Sequence, residues 1–102
     1  MPDQLVPRKF KEFETVKLLV DLPGRRVRPG NVGAIADISP ANTAPPYYYL
    51  LEFVNYRGQT YGFVEVREDG IVKATEADIE WDRRSPAHSM DVDYSIFEPE
   101  TD

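Results

Sequence analysis

A chain of 102 residues with no cysteine and a net charge of −6 leaves room for one domain and excludes disulfides, thiolate metal sites and a cysteine nucleophile. Its hydrophobic fraction of 41% suffices for one modest core and argues against a wholly disordered chain. The charge is uneven: residues 86–102 hold Asp91, Asp93, Glu98, Glu100 and Asp102 and no Lys or Arg, so the body is nearly neutral, which argues against a general nucleic-acid binder.

The first residues are polar, carry Pro2 and Pro7, and are expected to be loosely ordered over 1–9. They contain no apolar run of signal-peptide length, and no stretch approaches the roughly 20 apolar residues of a membrane span. The expectation is a cytoplasmic protein with no membrane contact.

Thr15 to Val20 is rich in β-branched and apolar residues, with Val16, Leu18 and Val20 alternating onto one face, and reads as the first strand. Asp21-Leu22-Pro23-Gly24 stops it, because Pro23 lacks an N–H and Gly24 permits positive φ. Arg25 to Pro29 continue the loop, and Pro29-Gly30-Asn31 is a second turn signal. Val32 to Ile38 is the next strand, in which Gly33 marks a bend, a bulge or a close backbone approach. Ser39 to Pro46 is a loop by composition.

Tyr47 to Val54 is the strongest strand, with Tyr47, Tyr49, Leu51 and Phe53 on one face and Tyr48, Leu50, Glu52 and Val54 on the other. Both faces are largely apolar, so cover on both sides is expected for part of its length. Asn55 to Gln59 make a hairpin loop and Thr60 to Arg67 the return strand. Asp69-Gly70 signals a tight turn, and Ile71 to Ala74 a short strand. Thr75 to Asp78 is expected to form a single helical turn, with Thr75 as N-cap and Asp78 at the capping-box position. Ile79-Glu80-Trp81 is expected to close the sheet as a last strand.

About five short strands with Gly/Pro punctuation in some 70 residues describe an all-β fold, a small barrel or sandwich. A barrel is favoured because closure buries the edges of so short a sheet. The expected architecture is an SH3-like barrel over residues 10–82 with one short helical turn and an acidic tail over 83–102.

The string Phe10 to Val16, then Asp21-Leu22-Pro23, Gly30-Asn31-Val32-Gly33-Ala34-Ile35, Tyr49 to Phe53 and Thr75 to Ile79 resembles the bacterial family of unknown function called DUF4926. The resemblance covers roughly residues 10–82. It implies a small β protein without an assigned activity, and no catalytic residue carries over. The loop at 39–46 and the tail after Asp82 depart from the family pattern. Gly33 to Ile38 is also similar, over a short stretch, to the glycine-led strand of KOW-type barrels.

Catalytic readings find little support. His88 is the single histidine and sits in a linker-like segment, where nothing would hold a general base in place. Asp91, Asp93, Glu98 and Glu100 lack the spacing of a calcium loop. Glu76 and Asp78 are explained by helix capping rather than acid–base work. No catalytic, cofactor or metal residue is assigned, and an enzyme is not expected.

The leading expectation is a non-enzymatic module that binds another protein. Its contact residues are drawn from the loops at 22–28, 45–49 and 56–61 and from the tail: Leu22, Arg25, Arg26, Arg28, Tyr47, Tyr48, Tyr56, Arg57, Tyr61, Tyr94 and Phe97. A small acidic single-domain protein suits an immunity or antitoxin role, because negative charge speeds association with a basic toxin. The alternatives are an accessory subunit of a larger enzyme or electron-transfer complex, and a weak nucleic-acid-binding barrel that pairs Arg25, Arg26 and Arg28 with surface aromatics. Unpaired strand edges leave a homodimer open.

Overall fold

Side-chain alternation decides which face each strand buries, and the sequence alternates cleanly where it matters most. The structure, a computed structural model, describes residues 7–38 and 43–86. It contains β1 (Thr15–Leu18), β2 (Val32–Asp37), β3 (Tyr48–Val54), β4 (Thr60–Arg67), a 3₁₀ turn (Glu68–Gly70), β5 (Ile71–Lys73) and α1 (Glu76–Arg83).

The strands form one antiparallel sheet in the order β4-β3-β2-β1-β5. Inward residues from all five strands, among them Val16, Leu18, Ile35, Tyr49, Leu51, Phe53, Val66 and Ile71, meet in a single buried cluster. A flat sheet of five strands cannot bring both edges to one cluster, so the sheet curls around it, as an SH3-like barrel does. A buried large apolar side chain contributes about 1.5–3 kcal/mol, against about 0–1 kcal/mol for an exposed ion pair such as Arg67–Asp69. The core therefore holds the fold.

Two glycines show how tightly the layers meet. A Cβ at Gly33 would lie 2.8 Å from the Glu52 carbonyl oxygen and 2.9 Å from the Phe53 ring, which is the close approach expected at that position. A Cβ at Gly62 would lie 2.7 Å from Val27 Cγ1, so the long β1–β2 loop plugs directly against β4.

Three expectations are corrected. Residues 79–81 are not a strand: they lie inside α1, which runs to Arg83 instead of stopping after one turn. The capping box is real, with Asp78 N–H donating to Thr75 Oγ1 at 3.1 Å and Thr75 N–H to Asp78 Oδ2 at 2.9 Å. The short helical element before the last strand is the 3₁₀ turn Glu68–Gly70, not the segment at 75. Finally, β1 ends at Leu18, and Val20 is 37% exposed rather than a core residue.

Candidate interaction surface

Four regions of the described surface bear on binding. The first is the outward face of β3 and β4. Register places Phe63 opposite Glu52, Glu65 opposite Leu50 and Arg67 opposite Tyr48. Among the described residues the outward face of β3 is covered only in part: Tyr48 and Val54 at its ends are 40% and 39% exposed, and Phe63 beside it on β4 is 49% exposed. Leu50 and Glu52 are half-buried between them. Along its middle the face sets one apolar residue against one carboxylate in each rung, Leu50 against Glu65 and Phe63 against Glu52, with Tyr48 and Arg67 at one end and Val54 at the other.

The second is the β3–β4 loop. Asn55 is buried, and its Oδ1 accepts from Arg57 N–H and Gln59 N–H, both at 2.9 Å, while its Nδ2 donates to Gln59 Oε1. Gly58 supplies the left-handed residue that the loop requires, with φ of +78°. This frame presents Tyr56, which is well exposed, with the Arg57 guanidinium 5.4 Å from its ring centroid and Nε donating to its hydroxyl.

The third is the arginine-bearing end. Val27 is fully buried and anchors the β1–β2 loop, leaving Arg26 half-exposed and Arg25 and Arg28 exposed on either side. Asn31 ties this loop to α1: its Oδ1 accepts from Arg28 N–H, and its Nδ2 donates to Asp82 Oδ1 at 3.0 Å. Val32 N–H donates to the same Asp82 oxygen at 3.1 Å. Above them the Trp81 ring lies so close to Gly30 that a Cβ there would fall 2.8 Å from it. Beneath, the Tyr61 hydroxyl is buried with no hydrogen-bond partner among the described residues, and burial, helped by the Asp82 charge, pushes its pKa up. At the other end of α1, Lys17 Nζ meets Asp78 Oδ1 at 2.9 Å. Asp78 is held down at about 2, first by the Thr75 backbone N–H and then by Lys17.

The fourth is an open cleft of about 450 Å³ between Pro45-Pro46-Tyr47 and Arg67-Glu68-Asp69. Glu68 organises its wall. Glu68 Oε2 accepts from Lys9 N–H at 2.8 Å and from the Tyr49 hydroxyl at 2.5 Å, which fixes the N-terminal segment across the 3₁₀ turn. Phe10 follows into the core, edge-on to Tyr49. Burial, and then this bond, push the Tyr49 phenol up to about 12.

The expected contact residues therefore divide. Arg25, Arg28, Tyr48, Tyr56 and Arg57 are on the surface, Arg26 is partly so, and Leu22 is half-buried against the core. Tyr47 and Tyr61 are packed in the core, 5% and 0% exposed, and Tyr47 also lines the open cleft. Tyr94 and Phe97, like His88 and the acids at 91–102, lie outside the described residues. The expected contact set omits Phe63, which sequence reasoning counts only among the available aromatics, and misses the exposed Trp81 and Phe13 altogether. Phe13 is 77% exposed and has φ of +72°, a conformation non-glycine residues rarely adopt, with its N–H donating to Ile35 O. Among the described residues no cluster of three metal-ligating side chains occurs, and no helix is long and apolar enough to cross a membrane.

A family model described as Domain of unknown function (DUF4926) matches residues 12–73, well over half of the chain. The match spans β1 to β5 and stops before α1. No curated protein and no solved structure matches the chain.

Proposed function

The chain belongs to the DUF4926 family, and we propose that it works there as a non-enzymatic module that binds another protein. The observation that carries this reading is the set of exposed apolar and aromatic side chains on the outward face of β3 and β4, interleaved with the carboxylates of Glu52 and Glu65. Tyr48, Val54 and Phe63 stand exposed on paired strands, with Tyr56 and Arg57 on the adjoining loop. Aromatic residues and arginine, presented by a rigid hairpin, are the side chains that concentrate binding energy in protein interfaces. The residues lie on regular strands or on a loop fixed by Asn55, so little ordering cost is added on contact.

The net charge of −6 points to a partner with a basic surface, for which attraction raises the association rate. An immunity or antitoxin protein acting on a basic toxin fits that description.

Affinity capture from the source cell, comparing the intact chain with Phe63→Ser and Tyr56→Ala, tests the proposal. The expected result is one near-stoichiometric protein held by the intact chain and lost by Phe63→Ser, with the thermal transition of the variant little changed. Retention of the same partner by both variants would move the interface elsewhere. Capture of nothing by the intact chain would remove the reading.

A further inference from the structure

We propose that the arginine-bearing end of the barrel is a docking surface for an acidic, aromatic-containing peptide, and that its occupant is this chain's own stretch 87–102. The argument is independent of the partner reading above.

The first support is where the fold gathers positive charge. Asn31 joins the β1–β2 loop to Asp82 of α1, and Trp81 packs on Gly30, so the loop bearing Arg25, Arg26 and Arg28 lies beside the last turn of α1. That turn continues into Arg83 and Arg84. The acids facing the cluster from α1 are Glu80, which meets Arg83 at 3.8 Å and Arg84 at 3.3 Å, and the buried Asp82. Those Glu80 pairs are exposed, and such pairs add little and exchange readily. Even with Asp21 of the same loop counted, the five arginines outnumber the carboxyl groups at this end, while the rest of residues 1–85 carries more acids than bases.

The second support is complementarity in the remaining chain. Asp91, Asp93, Glu98, Glu100 and Asp102 supply carboxylates that guanidinium groups bind in forked pairs, and residues 86–102 hold no competing cation. Tyr94 and Phe97 supply rings that arginine faces accept, next to the exposed indole of Trp81.

The third support is covalent placement. The stretch begins three residues after Arg84, so it starts at the cluster and does not have to reach it. Tethering at this range gives an effective concentration on the order of millimolar, and a contact that would be weak between separate molecules becomes well populated. An acidic partner seeking these arginines would have to displace the tail first.

The absence of cysteine makes the test direct. The full chain carrying Ser95→Cys, labelled there with a nitroxide, is compared with its reduced diamagnetic form by amide NMR. Severalfold loss of signal at Arg25, Arg28, Arg83 and Arg84, unchanged on dilution and reversed by raising salt to about 0.5 M, is the expected result. Adding Arg25→Glu and Arg28→Glu should restore those signals at low salt; should that variant fail to fold, the salt titration of the labelled chain decides alone. Broadening centred on Tyr48 and Phe63, or broadening at no particular place, overturns the proposal. So does equal broadening in a mixture of labelled and isotope-enriched unlabelled chains, which would assign the contact to a second copy.

Discussion

The two ends of the barrel are each closed by one carboxyl group on a short helical element, and the two differ chiefly in burial. At the Tyr48–Arg67 end, Glu68 of the 3₁₀ turn holds Lys9 N–H and the Tyr49 hydroxyl while half-exposed. At the opposite end, Asp82 of α1 holds Asn31 Nδ2 and Val32 N–H while 4% exposed. Both fasten a terminal segment to the strands. Water can replace Glu68 when it is removed, whereas at Asp82 it must first gain entry. Similar hydrogen bonds at the two ends should therefore be worth different amounts.

The largest effect follows from that difference. Asp82→Ala strands two donors at a closed interface and should cost about 3 kcal/mol in urea unfolding, from about 1–3 kcal/mol for each buried group left unpaired. A cost no greater than that of Glu68→Ala would break the comparison. Gly30→Ala probes the same end without touching charge. It adds a methyl 2.8 Å from the Trp81 ring at a φ of +97°, and should cost about 2 kcal/mol, of which the backbone part, about 1 kcal/mol, persists when Trp81→Ala is added. Glu68→Ala should cost about 1 kcal/mol, the net worth of exchangeable hydrogen bonds.

The smallest effect is read by titration. The Tyr49 phenol lies at about 12 in the fold, above the roughly 10 of an unfolded tyrosine. The stability it contributes is complete below about pH 10 and is lost as pH rises toward 12. Tyrosinate absorbance should show this group ionising late, and Glu68→Ala should bring it earlier without restoring the ordinary value, because burial is the larger cause. An unchanged titration would mean that Glu68 does not act on Tyr49.

Much of the strand layout was readable because period-2 alternation is a direct record of burial. Val16 and Leu18, or Tyr49, Leu51 and Phe53, can serve only an inward face. Tyr47 shares that parity and is buried with them, although Pro45 and Pro46 before it suggest surface. Tyr61 escapes the alternation rule because the register shifts between Phe53 and Val54, and Tyr61 and Gly62 are consecutive yet both buried. The end of α1 was hidden for a different reason. The helix has no apolar stripe; Ile79 is half-buried and Trp81 exposed, so its residues match strand composition as well as helix periodicity. What fixes it is Asp82 and the Lys17–Asp78 pair, polar contacts with partners some 50 to 60 positions away that no local pattern reports. The arginine cluster is legible only in half, as Arg25 to Arg28, because its other members arrive with α1.

The Asn55 loop has a consequence for how this chain reaches its fold in time. It closes the longest strand pair across only a few residues, whereas β1 meets β5 through partners such as Leu18 and Ile71, more than 50 positions apart. Chain entropy makes the first closure cheap and the second slow. The β3–β4 hairpin is thus expected to form in the transition state and the β1–β5 seam afterwards. In stopped-flow experiments Asn55→Ala should slow refolding, while Val72→Ala, on the late seam, should mainly hasten unfolding. The reverse pattern would place the nucleus at the seam. Edge strand β4, with Phe63 outward, would then be exposed together with its hairpin before the rest of the barrel has closed, making this early species the one most prone to self-association.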